Sequence, residues 1–321
     1  MNVKVFGVDA AGYRAHDLHS TTRVWLETNC YVDLWIELLH TMHFDPVASM
    51  AFTLAMDFEG DQWTFFKQPP ADLYRLYGLD VQELAVWRSV ELHLAEQVQL
   101  GRVPLVEVDA FYLPDTAGIS HRIEHTKTTV AIGAIDLQHR RLGYFHNAGY
   151  FELSGVDFDG LLSVAGAAMA PYTEIIKLDR IVRRSETELM TIARELTRFH
   201  LGRIPKANPF TKYRARYATD VEWLTSTDMS VFFKYAFATL RQCGAAAEMS
   251  STFLKWMLDR GGEATSASTD FEDIAIAAKA MQFKIARMVT TGKLVDVTPL
   301  LDQMEAGWDR AMADLVRRYA A

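Results

Sequence analysis

Cysteine is almost missing from this sequence. Only Cys30 and Cys243 occur in 321 residues, so a disulfide framework is excluded and no zinc site can be assembled from cysteine pairs. Two free thiols in a reducing compartment is the simpler reading. Long apolar runs are missing too: the alanine-rich stretch 161–171 is too short to span a membrane. Residues 1–10 lack the basic region, apolar run and cleavage site of a signal peptide. Together these absences predict a soluble, cytoplasmic chain. Positive charge is not in surplus; the net charge of −8 argues against a dedicated nucleic-acid binder. There is no glycine-rich phosphate loop, because Gly149 and Gly155 lack the partners that motif needs, and no serine stands in a nucleophile-elbow pattern. Internal repeats, low-complexity segments and long like-charge runs are absent as well.

What is present is hydrophobic material. Half of the residues are apolar, enough to bury the core of one large domain or two ordinary ones. Tyr31, Leu34, Trp35, Leu38 and Leu39 recur at helical spacing, which predicts a helix over 29–41 with Asn29 as N-cap. Further helices are expected over 46–52, over 71–77 closed by Gly78, and over 81–100 closed by Gly101. The pattern then changes. Segments 103–112, 128–135, 141–145 and 150–153 are rich in β-branched and aromatic residues and read as strands, with Asn147-Ala148-Gly149 as a turn. Beyond residue 158 the chain reads as helical throughout, over 159–169, 171–177, 185–202, 209–217, 219–225, 229–242, 244–260, 268–291 and 297–319. Strands followed by helices, rather than alternating with them, predict an α+β fold. Its first domain, residues 1–157, is a cysteine-bearing helix on an antiparallel sheet; its second, 158–321, is all-α.

Cys30 opens the first amphipathic helix. A helix N-terminus carries partial positive charge and unsatisfied N–H groups. Both favour thiolate over thiol, and the same N–H groups can donate to an oxyanion. The bland alternative is a small buried hydrophobe, the reading that suits Cys243 inside its apolar helical run. A cysteine nucleophile needs a base and a group to orient that base. The strand region supplies His121, His125, His139 and His146. His125 comes just before the apolar strand, and Asn147 ends the next one, so adjacent strands are expected to bring these two side by side. Each of these alone is more readily a surface or capping residue; it is their order together that favours the catalytic reading. Asp109, within an apolar strand, needs a partner; it either lines the pocket or satisfies a neighbouring loop. A metal site from His121, His125 and Asp136 matches no familiar zinc spacing, and no metal is expected. The basic groups around Arg180, Arg183 and Arg184, and around Lys212, Arg214 and Arg216, are ordinarily solvated faces; they are also of the kind that receives an acidic protein partner.

The run Gly101-Arg102-Val103-Pro104-Leu105-Val106-Glu107-Val108-Asp109-Ala110-Phe111-Tyr112-Leu113-Pro114 resembles the N-terminal domain of the butirosin-type acyltransferases. That family has a papain-like core with a cysteine, histidine and aspartate triad, and it moves an aminoacyl group from a carrier protein's phosphopantetheine thioester to an amine. The resemblance implies Cys30 as nucleophile, His125 as base with His121 as fallback, and Asn147 in place of the aspartate. Over nearly the whole chain, stretches such as Glu27-Thr28-Asn29-Cys30-Tyr31, Tyr144-Phe145-His146-Asn147-Ala148-Gly149-Tyr150 and Tyr235-Ala236-Phe237-Ala238-Thr239-Leu240-Arg241-Gln242 look like an uncharacterised bacterial family. Genes of that family are found beside amino acid:carrier protein ligases and their small carrier proteins.

The expectation is thus a cysteine-dependent acyltransferase. Its donor is the phosphopantetheine arm of a small acyl carrier protein, and it has no cofactor of its own. Asn29, Asp109, His121 and Tyr112 are the candidate substrate-binding residues. The partners expected are the carrier protein and its ligase, with no nucleic acid and no membrane. Two alternatives stand beside it: a thioesterase or amidase using the same triad, and a non-catalytic module that binds a carrier protein.

Overall fold

The computed structural model describes residues 2–163 and 170–319. The fold is α+β: an antiparallel sheet in the N-terminal half, then a helical C-terminal region. The first helix, α1 (Cys30–Thr41), begins where the periodicity puts it. The Asn29 side chain accepts the N–H groups of Tyr31 and Val32, satisfying two of the orphan donors of the first turn.

Seven strands form one sheet: β1 (Asn2–Lys4), β2 (Asp80–Glu83), β3 (Val103–Asp109), β4 (Lys127–Asp136), β5 (Arg141–His146), β6 (Gly149–Ser154) and β7 (Thr173–Lys177). Their order is β2-β7-β3-β4-β5-β6, all pairs antiparallel, and β1 pairs with the far half of β4 in the lane that β3 leaves. Alternate residues face opposite sides. Val106, Val108, Val130, Ile132, Leu142 and Tyr144 enter a core with Val90, Leu94 and Val98 of α3 (Val90–Gln99), and with Phe158, Leu161 and Leu162 of α4 (Val156–Ser163). Phe145 and Tyr150 point the other way. They meet Tyr13, whose hydroxyl donates to Glu37 of α1.

In the N-terminal half several sequence expectations change. Residues 171–177, read as helix, contain strand β7. Its Thr-Glu-Ile-Ile-Lys sequence tolerates a strand, and β7 fills the place between β2 and β3. The helix expected over 81–100 begins only at Val90, because Asp80–Glu83 pairs with β7. The segment 46–52 is a 3-10 helix running Pro46–Ala55. The last part of the helix expected over 159–169 lies outside the described residues.

The chain divides into two compact units. One comprises 1–20, 29–46 and 70–183; the other comprises 21–28, 47–69 and 184–321. The junction near residue 183 falls later than the division read from the sequence at 157, because β7 belongs to the sheet. Two early segments count with the helical unit because they carry large aromatics. Trp25 donates its indole N–H to the Ala275 carbonyl at 3.1 Å, and its ring fills the space where a side chain on Gly244 would stand. Trp63 packs against Phe210 at 4.8 Å. The rest of the helical unit is α5 (Glu186–Leu201), α6 (Pro209–Ser226), α7 (Met229–Ala236), α8 (Gln242–Asp259), α9 (Ala267–Thr291) and α10 (Thr298–Tyr319). The two helices expected over 209–225 are one, and a π turn, Phe237–Arg241, joins α7 to α8 without a break.

Helix α2 (Pro70–Tyr77) ends at Gly78, as its sequence suggests. Gly78 has φ +73°, and a Cβ there would fall 1.9 Å from the Arg180 carbonyl oxygen. Gly78→Ala should therefore cost about 2–3 kcal/mol, combining left-handed strain with a backbone clash. Urea unfolding monitored by circular dichroism checks this, and an unchanged midpoint would refute it.

Candidate functional site

Cys30 is the first residue of α1 and is half-buried. Among the described residues neither its sulfur nor its backbone N–H has a hydrogen-bond partner, so neither His125 nor His121 lies within reach of the thiol. The cap engages Tyr31 N–H and Val32 N–H. That narrows the oxyanion donors expected from the helix start to the N–H of Cys30 itself. The Tyr31 hydroxyl donates to Glu174 of β7 at 2.9 Å. This ties the first turn of α1 to the sheet beside β3, since Glu174 is the register partner of Leu105.

His125 sits two residues before β4 and is stacked on Phe111 at 4.3 Å. Its Nδ1 is 2.5 Å from Asp109 Oδ2 at the end of β3. The imidazole side chain is 69% exposed. The other Asp109 oxygen accepts the N–H groups of Phe111 and Thr126. Asp109 is thus both a loop anchor and the partner of a histidine. No hydrogen bond joins His125 to Asn147 among the described residues. Asn147 takes up φ +45° in the β5–β6 turn, a conformation that asparagine tolerates. The side-by-side pairing of His125 with Asn147 expected from strand order is therefore replaced by His125 with Asp109, from the strand on the other side of β4.

His121 lies 3.4 Å from Asp157, which also holds Arg122. Tyr112 packs on Gly160 of α4, with the Arg122 guanidinium over its ring. His125 and Asp109 line a cavity of about 380 Å³ whose other walls include Val90, Val106, Val108 and Leu162. Among the described residues no group of three or more His, Cys, Asp or Glu side chains is arranged to hold a metal. No helix of the described residues is long and apolar enough to cross a membrane.

Two buried polar clusters escaped the sequence reading. In one, His19 Nδ1 meets Glu37 Oε1 at 2.5 Å, and its Nε2 meets Asp33 Oδ1 at 3.3 Å, with all three side chains essentially sealed from solvent. The signal was Asp33 and Glu37 one turn apart on a helix otherwise apolar. In the other, His146 Nδ1 lies 2.6 Å from Asp115, and its Nε2 lies 2.8 Å from the Thr128 hydroxyl. Tyr144 donates to the same Asp115. This carboxylate–imidazole–hydroxyl chain faces the α3–α4 core, away from α1, and satisfies buried polar groups there.

The sequence matches the DUF1839 N-terminal domain over residues 14–178 and the DUF1839 C-terminal domain over residues 186–317. The chain belongs to the DUF1839 family. The two domain matches meet at the same place as the two compact units of the fold, between β7 and α5. No curated protein matches the sequence.

The two thiols of this DUF1839 protein differ sharply in environment. Burial pushes the Cys243 thiol far above its ordinary range. Iodoacetamide on the folded protein should label Cys30 at least about 100-fold faster than Cys243. Peptide mass mapping over time checks this; equal rates would mean that Cys30 is no more accessible than the core.

Proposed function

We propose that this DUF1839 protein is a cysteine acyltransferase that accepts an aminoacyl group from a carrier protein's phosphopantetheine thioester and delivers it to an amine. The observation that supports it most is Cys30. It is a half-buried thiol with an unengaged sulfur and an unengaged N–H, at the start of a capped helix lying on an antiparallel sheet. The His125–Asp109 pair at the adjoining ends of β3 and β4 supplies the chemistry of a base with its orienting carboxylate. A helix-borne cysteine followed by a histidine just ahead of an apolar strand is also the order of the papain-like enzymes, which the sequence resembles.

In the first half-reaction the Cys30 sulfur attacks the thioester carbonyl, the C–S bond to the pantetheine breaks, and the pantetheine thiolate leaves with the proton that His125 took from Cys30. In the second, an amine attacks the acyl–Cys30 carbonyl, His125 accepts the amine proton, and the Cys30 thiolate leaves. Thiol-for-thiol exchange is near balance, so no ATP is needed. Cys30 and His125 do not touch in this structure, and the cavity that His125 lines is walled by the α3–α4 side of the sheet; the reading requires a rearrangement that brings the two together on the bound acyl group. Of the two histidines, His125 is favoured because its carboxylate is not shared with an arginine, as that of His121 is.

The test is incubation with an aminoacylated carrier protein followed by intact-mass analysis. An adduct of one aminoacyl group that maps to Cys30 and is discharged by hydroxylamine is expected. The absence of any adduct would sink the reading. Discharge by water as fast as by amines would make the protein a thioesterase.

A further inference from the structure

The helical unit carries an aromatic surface that its own core does not use. Phe237 and Arg241 lie at the two ends of the π turn. Phe237 meets Phe65 at 6.3 Å, and the Arg241 guanidinium lies 5.7 Å from the Phe237 ring. On the neighbouring helix α9, Lys279 is close enough to Arg241 for their like charges, after burial, to depress the lysine's pKa. Its ammonium sits 4.1 Å from the Trp25 ring and 6.0 Å from that of Phe283. Ile276 lies one turn before Lys279 on α9. Phe283 is 66% exposed, Ile276 48%, and Phe65 and Phe237 each 37%. Phe65 and Phe237 on one side of Arg241, and Ile276 and Phe283 on the α9 side with Lys279, are exposed apolar residues grouped around two cations, and exposed apolar surface of this kind marks an interaction site.

Charge says what kind of partner fits. The chain as a whole is acidic, with net charge −8, yet this surface holds two cations near each other. Glu27 pairs with Arg241 at 2.9 Å. Lys279 has no ion pair among the described residues; aromatic rings flank it, and Glu248 attracts it only from a distance, too weakly to offset burial and Arg241. An ammonium in that position is half-desolvated already, so a carboxylate brought to it recovers more than it would from a fully hydrated lysine.

We propose that this surface docks an acidic protein presenting an apolar helical face, and that the partner is the carrier protein of the acyl transfer. The identity of the partner rests on the proposed function; the surface does not. The aromatics supply the desolvated centre of the contact, and Lys279 and Arg241 supply steering and register.

The experiment measures binding of the full chain to an apo carrier protein, which has no thiol arm and cannot be acylated, by fluorescence anisotropy at low and high salt. Lys279→Glu and Phe283→Ala should each weaken binding about 10-fold, and added salt should weaken it for the unmodified chain. Lys293→Glu, an exposed lysine beyond the end of α9, should change little. Cys30→Ala should bind as the unmodified chain does, so docking is read independently of the chemistry at Cys30. No binding by the unmodified chain overturns the proposal, as does equal loss in Lys293→Glu. Sedimentation showing that the surface variants instead dissolve a self-dimer overturns it too, by assigning the surface to a second copy.

Discussion

Cys30→Ala should abolish the acyl-enzyme and lower transfer by at least about 10³-fold while leaving the fold intact. The expectation of intact folding comes from the local structure. The Asn29 cap acts through backbone N–H groups of Tyr31 and Val32, which alanine at position 30 leaves untouched. The sulfur has no partner to orphan. Unfolding free energy should change by less than about 1 kcal/mol. His125→Asn should cost about 10²- to 10⁴-fold, the usual contribution of a general base. Asp109→Asn is the more discriminating variant. An amide oxygen can still accept from Phe111 and Thr126, so the loop keeps its anchor, while the carboxylate facing His125 Nδ1 is lost. It should lower the rate about 10-fold with no loss of stability, if Asp109 positions the imidazole. Steady-state rates with an aminoacylated carrier protein, alongside urea midpoints, separate these outcomes. Transfer that survives in Cys30→Ala removes the cysteine mechanism altogether. A normal rate in His125→Asn moves the base elsewhere.

Most of the architecture was legible because its periodicities are strong. The apolar spacing from Tyr31 to Leu39 located α1 and its cap, and the β-branched segments located β3 to β6. Gly78 and Gly101 marked helix ends where the backbone has positive φ. What failed were elements decided by distant partners. Thr173–Lys177 is a strand because β3 and β2 flank it, and nothing within those five residues compels it. The same holds at the site. The place of Cys30 at the start of α1 could be read from the periodicity. The partner of His125 could not, because strand order offers it a neighbour on either side, and register and rotamer selected Asp109 over Asn147. The roles of Trp25 and Trp63 in the helical unit were equally hidden. Each lies far in sequence from the helices whose core it completes.

The largest stability effect should come from the buried cluster that holds α1 to the N-terminal segment. Burial alone pulls the His19 pKa down. Hydrogen bonds and charge from Asp33 and Glu37 more than reverse this and lift it to about 9. The folded protein therefore binds a proton at His19 that the unfolded chain, with an ordinary value near 6.5, gives up earlier. The resulting stabilisation is complete below about pH 6.5 and is lost as pH rises through about 9, amounting to roughly 3 kcal/mol. Glu37 acts on the other side. Burial raises its pKa, but hydrogen bonds from His19, Tyr13 and the His16 backbone outweigh that and hold it below the usual value. Its contribution is present at neutral pH and lost as pH falls through that lowered pKa. His16, edge to face with His40 at 5.2 Å, is shifted down, chiefly by burial, so it does not add to the alkaline loss. Urea titrations at about pH 6 and about pH 9.5 should show this loss in the unmodified chain, and most of the slope should disappear in His19→Gln, leaving the smaller alkaline loss that the buried Cys243 thiol contributes. Glu37→Gln should cost about 3–5 kcal/mol at neutral pH, because it leaves an imidazolium, a tyrosine hydroxyl and a backbone N–H facing a neutral amide in a sealed site. A His19→Gln protein that keeps the full alkaline slope would show that the proton taken up on folding sits on another group.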